Sequence, residues 1–217
     1  TVGEAWTLTP LVIDYVGDEV DIAFEFYLAE AFITGAKGPL AVAVTKQMQV
    51  VLDSYPEGQY GVFLTNHDQN RVMSQLNDDE VRAKLAATMM LTAPGVPFIY
   101  YGEEIGMTGF KPDEDIRRPM QWNSDNLRVG FTTGFPWRSP AGDYSERSVA
   151  LQEGDPDSLL NHYRALIHLR SDNPALRTGE AVLVDAGSPR LYAMLRYNDE
   201  QAFLILVNVH PKPLSGD

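Results

Sequence analysis

Residues 61–71 read Gly-Val-Phe-Leu-Thr-Asn-His-Asp-Gln-Asn-Arg, an apolar run that turns polar within a few residues. Such a short apolar run is typical of a buried strand. It is one of four runs that are each followed by helix-like sequence, at residues 1–6, 21–27, 61–66 and 96–101. Crossovers longer than about ten residues imply parallel pairing, so this alternation predicts an α/β fold. The pattern fits half of an eight-stranded barrel or most of a doubly wound sheet.

Two helix starts carry further expectations. Thr9-Pro10 predicts an N-cap followed by proline at the first helical position. Residues 77–80 (NDDE) predict another helix start, because acidic residues in the first turn complement the helix dipole. In that helix we expect Val81, Leu85 and Met89 to form the buried stripe.

The sequence changes character after Gly102. About fifty residues rich in Gly, Pro, Asp and aromatic residues follow, a length typical of functional loops. We expect an ordered loop whose aromatic side chains serve packing more than sugar binding. Three strands are predicted after the last long helix, at residues 181–184, 191–196 and 202–209. We therefore predict two domains, at residues 1–174 and 175–217.

Composition excludes several functional classes. The 217 residues hold 17 Lys and Arg against 30 Asp and Glu, a net charge of -13. Nucleic acids and anionic membrane surfaces require basic patches, so we predict neither as a partner. Without cysteine the chain has no disulfide, thiolate nucleophile or Cys-ligated zinc. No apolar run is long enough to cross a membrane.

Polar side chains follow the predicted strands at the edge where parallel α/β folds carry their reactive groups. Glu4 falls in the first run, and Asn66, His67 and Asp68 end the third. Paired carboxylates at such an edge are what glycosidic bond cleavage requires. Each residue also has a structural interpretation: Asp68 can cap a turn, and Arg71 can be an ion-pair partner as readily as a substrate contact. Glu103 and Glu104, after the fourth run, are expected to be hydrogen-bonding loop residues.

Four motifs resemble the α-amylase family, glycoside hydrolase family 13. Residues 1–6 (TVGEAW) resemble its fifth-strand motif, and residues 63–71 (FLTNHDQNR) its seventh. Residues 94–107 (PGVPFIYYGEEIGM) resemble its eighth strand and the loop that follows. Residues 113–122 (DEDIRRPMQW), with 130–137, resemble a loop of its α-glucosidase, trehalose synthase and intermediate α-amylase branches. The motifs occur in the family's order, and the resemblance covers essentially the whole chain.

The resemblance implies a fold and a set of roles. The fold would be strands five to eight of a TIM (β/α)8 barrel, followed by part of an antiparallel β-domain. Glu4 matches the general acid/base, and Asp68 the carboxylate that stabilises the oxocarbenium-like transition state. His67 matches an imidazole that binds the same sugar ring, and Asn66 and Arg71 match substrate-binding positions.

The family's nucleophilic Asp lies on its fourth strand, and none of the four motifs carries it. Asp21, Glu25, Glu103 and Glu104 do not match its position. We therefore expect residues 1–217 to be the C-terminal half of the barrel with the start of the β-domain, and to be inactive alone. Open barrel edges should favour self-association.

The resemblance implies a parent enzyme that hydrolyses α-glucosidic bonds in starch or maltooligosaccharides by a retaining mechanism. A transglycosylase or isomerase, such as a glucanotransferase or trehalose synthase, is the first alternative. A non-catalytic amylase-like binding module is the second, although such modules usually lose the strand-end acids. No cofactor or metal is predicted for these residues, whereas calcium is compatible with the full-length parent. The compartment stays open, and the family's habit favours an extracellular one.

Overall fold

The computed structural model describes residues 1–214; residues 215–217, at the end of the predicted second domain, lie outside the described part. Four short strands form one parallel sheet in the order β1-β2-β3-β4. Their bounds are Val2–Gly3, Ile22–Phe24, Tyr60–Val62 and Val96–Pro97. All three neighbouring pairs are parallel, as the strand–helix alternation predicts. Each strand is shorter than the apolar run that predicted it. Only two or three residues near the start of each run pair with a neighbouring strand.

A second, antiparallel sheet has the order β5-β6-β7. Its strands are Glu180–Leu183, Leu191–Tyr197 and Ala202–Asn208. Met194 pairs with Leu183 on one side and with Ile205 on the other. The three strands predicted after the last long helix, and the antiparallel pairing that the resemblance implies, are confirmed.

The helices lie between these strands and in the segment before β5. Their bounds are α1 Thr9–Val12, α2 Phe26–Lys37, α3 Val42–Ser54, α4 Val72–Gln75, α5 Glu80–Thr92, α6 Asp113–Ile116, α7 Val149–Gln152, α8 Leu159–Asp172 and α9 Pro174–Arg177. Short 3-10 turns occur at Ile13–Tyr15 and Glu103–Ile105. None of the helices in residues 1–214 is both long and apolar enough to span a bilayer.

The described chain divides into two compact units that each combine separate segments. Of the described residues, the first contains 1–64, 85–98 and 166–214, and so includes both sheets. The second contains residues 65–84, which follow β3 in the chain, and residues 99–165, which follow β4. These units do not follow the predicted division at residue 174, and that domain boundary stays a prediction.

An aromatic cluster fills the core of the first unit beside the parallel sheet. Phe24 lies edge-on to both Phe63 and Phe98, with ring centroids 5.3 and 4.7 Å apart. Phe26 contacts Phe63 in the same way and stacks on the exposed ring of Trp6. The rings bury apolar surface where the strands are too short to do so.

Two local expectations are wrong. Thr9 is the first residue of α1 and not its N-cap, because its hydroxyl instead donates to the buried carboxylate of Glu25 at 3.0 Å. Val81 is 68% exposed, whereas Met89 is buried as expected. The buried side of α5 begins at Ala83, since its first turn faces solvent.

Candidate active site

Asn66, His67 and Asp68 form a tight turn in the second unit, just after the chain leaves β3. The Asp68 amide donates to Oδ1 of Asn66 at 2.9 Å, which fixes the turn. The carboxylate of Asp68 is half-exposed, and its Oδ2 lies 3.5 Å from Nε2 of His67. The turn and this contact together place the His67 imidazole beside the Asp68 carboxylate, and both groups face solvent.

Arg117 ties this turn to the long loop that follows β4. Its Nη2 donates to Oδ1 of Asp68 at 2.7 Å and to Oδ2 of Asp113 at 2.8 Å. Its Nε donates to the backbone carbonyl of His67 at 2.8 Å. Asp113 is held in turn by Lys111, and these two cations lower the pKa of Asp113. A planar guanidinium thus orients the Asp68 carboxylate with directed hydrogen bonds.

Arg71 has a different environment from the exposed residues before it. Its side chain is 1% exposed and lies over the rings of Tyr100 and Tyr101, each 4.8 Å from the guanidinium carbon. Nη1 donates to the Tyr101 carbonyl at 2.7 Å, whereas Nε and Nη2 have no hydrogen-bond partner among the described residues. Burial lowers the pKa of Arg71, and the two tyrosines oppose that shift. This buried position favours a role in supporting the two tyrosines over direct substrate contact.

Glu103 and Glu104 are engaged in hydrogen bonds, as the sequence suggests. Glu103 is 2% exposed and accepts from the hydroxyl of Tyr163 at 3.2 Å. Burial, with Glu104 as a second cause, raises the pKa of Glu103 well above its usual range. Glu104 accepts from the Gly102 amide at 2.7 Å, and burial raises its pKa as well. Burial thus disfavours the charged form of both carboxyl groups, which suits a structural role better than a nucleophilic one.

Glu4 follows β1 in the first unit and is exposed. Glu25 directly follows β2, and its buried carboxylate accepts from Thr9, Gln47 and Tyr55. Burial raises the pKa of Glu25, and these hydrogen bonds oppose it. Since its oxygens accept from three donors, Glu25 is a structural acid, whereas the side chain of Glu4 is exposed to solvent.

Comparison with known proteins identifies the family. The model of the α-amylase catalytic domain matches residues 1–179. The chain belongs to the α-amylase family. It is 29% identical over 215 residues to α-amylase 3 of Dictyoglomus thermophilum, a match that covers 96% of this chain and 42% of that protein.

Solved structures of this family confirm the predicted fold class. The α-amylase of H. orenii matches with a TM-score of 0.84 and 38% identity over 96% of this chain and 43% of that one. A trehalulose synthase matches with a TM-score of 0.78 and 28% identity over 96% of this chain and 47% of that one. This chain thus spans less than half the length of each of these α-amylase family relatives.

The structure brings together Asn66, His67 and Asp68 of the predicted site residues. Arg71 is buried against the rings of Tyr100 and Tyr101, and Glu4 belongs to the other unit, so the roles of both stay predictions. Arg117 lies in the motif at residues 113–122, but the sequence alone gave this residue no role. An arginine that follows three acids in four residues at 113–116 was the signal available.

Proposed function

We propose that these residues form part of a retaining glycosidase that hydrolyses α-glucosidic bonds in starch or maltooligosaccharides. The observation that supports this most is Asp68, held beside His67 by Arg117 within the family's strand-end motif. A half-exposed carboxylate with fixed direction can stabilise positive charge on a sugar ring and accept hydrogen bonds from its hydroxyls.

The proposed roles divide between the two strand ends. Glu4 protonates the leaving oxygen and then activates water, and its exposure leaves it open to substrate. Asp68 and His67 bind the reacting sugar, while Asn66 shapes the turn that presents them. Arg71 acts through the tyrosines that it supports. The covalent step requires a nucleophile that none of the matching motifs supplies.

A chimera provides the test of this function. Residues 1–217 replace the matching 43% of the H. orenii α-amylase, and hydrolysis of maltooligosaccharides is measured. We expect an active chimera in which Glu4→Gln or Asp68→Asn each lowers kcat by about 10²–10³-fold, because each removes one preorganised group. Glu30→Gln and Asp18→Asn, which change exposed acids elsewhere, are the matched controls. A folded chimera that is inactive, or that tolerates both test substitutions, would contradict the proposal.

The second candidate is a transglycosylase or isomerase of the same family. The match to a trehalulose synthase at a TM-score of 0.78 keeps this candidate open. Products of the chimera, compared with those of the parent H. orenii enzyme, separate the two. Transfer or isomerised products that appear only in the chimera would favour this second function, since residues 1–217 are the only difference.

We also propose that residues 1–217 alone do not hydrolyse α-glucans. The support is the absence of the family's nucleophilic Asp from the four matching motifs. Release of reducing sugar by the purified chain, abolished by Asp68→Asn, would overturn this point.

A further inference from the structure

Two segments of the second unit are joined at both of their ends. Residues 66–71 hold the strand-end turn, and residues 109–117 lie in the loop that follows β4. At one end Arg117 donates to Oδ1 of Asp68 at 2.7 Å. The other end is held by different hydrogen bonds, and one of them comes from Asn70, a side chain to which neither the motifs nor the proposed chemistry gives a role.

Asn70 links the turn to the second segment. Its Oδ1 accepts from the backbone amide of Lys111 at 2.7 Å. Its own carbonyl accepts from Nε2 of Gln75 at 2.6 Å, so α4 holds the backbone from which the Asn70 side chain extends. Beside this bond, the Arg71 amide donates to the Gly109 carbonyl at 3.0 Å. The Asn70 side chain therefore fixes where residue 111 lies relative to the turn.

A single turn of helix connects this position to Arg117. α6 begins at Asp113, two residues after Lys111, and Arg117 directly follows its last residue. The Arg117 amide donates to the Asp113 carbonyl at 3.1 Å, and its Nη2 donates to Oδ2 of the same residue at 2.8 Å. Ile116 is fully buried and anchors the helix. Because one hydrogen-bonded turn moves as a unit, a displacement of Lys111 changes where the guanidinium lies.

We propose that Asn70 is a positioning residue for Asp68: it fixes the start of the segment that carries Arg117, and Arg117 orients the carboxylate. This proposal rests on the proposed function. Oδ1 of Asn66 stabilises its own turn, since it accepts from the Asp68 amide at 2.9 Å. Oδ1 of Asn70 instead accepts from an amide 41 residues away in the chain. A shift of about 1 Å at a reacting group can lower a rate by about 10²-fold, so such a bond can affect catalysis.

Kinetics of the chimera with the H. orenii α-amylase provide the test. Asn70→Ala removes the acceptor and is expected to lower kcat roughly three- to ten-fold with a smaller change in KM, because Arg117 is displaced but not lost. Asn70→Asp keeps an oxygen that accepts from the Lys111 amide, so its kcat should stay within about two-fold of the natural value. Asn126→Ala is the matched control, since it removes a similar bond, from the Arg128 amide to Oδ1 at 2.8 Å, outside both segments. The control should leave kcat unchanged.

A double-mutant cycle separates positioning from general destabilisation. If Asn70 acts through Arg117, Asn70→Ala should lower kcat by less than about two-fold in an Arg117→Lys background. Amide hydrogen exchange of the 217-residue chain gives a readout that requires no activity. The Lys111 amide should be protected in the natural chain and in Asn126→Ala, and should exchange faster in Asn70→Ala.

The outcomes distinguish this proposal from the proposed function. The positioning role would be overturned by equal kcat values for Asn70→Ala and Asn126→Ala, by an undiminished effect of Asn70→Ala in the Arg117→Lys background, or by an unprotected Lys111 amide. The function would still stand if Asp68→Asn inactivated the chimera. An Asp68→Asn chimera that stays active would refute the assigned chemistry, and with it the catalytic role of the Asn70 bond, even where hydrogen exchange shows that the bond forms.

Discussion

The contacts of Arg117 show how a single residue can determine the direction of the Asp68 carboxylate, which we propose takes part in catalysis. Three acceptors on two segments converge on its guanidinium: the Asp68 and Asp113 carboxylates and the His67 carbonyl. A lysine has the charge but not the planar fork that reaches these acceptors together. The Arg117–Asp68 pair is partly exposed, so its value lies in orientation and not in stability.

Arg117→Lys is therefore expected to impair catalysis more than folding. In the chimera kcat should fall about 10–100-fold with a smaller change in KM, because a displaced Asp68 loses transition-state contacts. Separate determination of kcat and KM checks this, with the exposed Arg128→Lys as the matched control. An unchanged kcat would show that Asp68 does not depend on Arg117.

Glu103 gives a pH-dependent prediction. Its pKa in the folded chain is raised by burial and by Glu104, so the folded state keeps a proton that the unfolded state releases. Stability from this group is fully present below the unfolded pKa of about 4.3 and declines as pH rises above it. Glu103→Gln removes this dependence and keeps an acceptor for Tyr163.

Urea unfolding at pH 5 and pH 8 measures the effect. The stability of Glu103→Gln relative to the natural chain is expected to rise between the two pH values. The exposed Glu146→Gln should show no such change. A relative stability of Glu103→Gln that is the same at both pH values would show that Glu103 is ionised in the folded chain.

At the scale of elements, two buried arginines satisfy the carbonyl end of α5. Arg170 from α8 donates to the carbonyls of Leu91, Ala93 and Gly95, at 2.9, 2.6 and 2.6 Å. Arg196 from β6 donates to the Thr92 carbonyl at 2.9 Å. Burial and neighbouring Arg196 lower the pKa of Arg170 to about 10, so it stays charged at neutral pH. Cations suit a helix carboxyl end, where carbonyls lack intrahelical partners.

Arg170→Met should destabilise the chain by about 2–4 kcal/mol, because it leaves buried carbonyls without donors. Chemical denaturation measures this, with the exposed Arg177→Met as the matched control. The control is expected to change the free energy of unfolding by less than about 0.5 kcal/mol. Equal effects of the two substitutions would contradict the assigned role of Arg170.

At the scale of the whole molecule, the parallel sheet has two open edges among the described residues. β1 and β4 each pair with a single neighbour, and Val2 and Val96 on these strands are 47% and 41% exposed. Unpaired strand edges with apolar side chains favour pairing with another chain. We therefore expect the 217-residue chain to self-associate.

Light scattering coupled to gel filtration tests this expectation. The natural chain is expected to elute above its monomer mass of 24.1 kDa, and Val96→Lys on the edge strand should shift it towards monomer. Val81→Lys, on the exposed side of α5, is the matched control. A compact monomer at high protein concentration would contradict the expectation.

Much of the fold could be predicted from sequence. Strand–helix alternation fixed the parallel sheet, and the motifs separated a half barrel from a doubly wound sheet. Strand lengths were overestimated, because apolar residues after each strand pack as loops and continue the run. The predicted Thr9 N-cap was wrong because local capping signals do not show that Glu25, distant in sequence, competes for the Thr9 hydroxyl.

The order and chemical types of the strand-end residues Asn66, His67 and Asp68 were determined by the sequence alone, because a short turn brings near neighbours together whatever surrounds them. Only the tertiary structure decided that Arg117 reaches Asp68, that Arg71 is buried against two tyrosine rings, and that the loop aromatics face solvent. These contacts join segments tens of residues apart. Periodicity and spacing describe a chain locally, whereas the direction of a guanidinium or an aromatic ring depends on what packs against it.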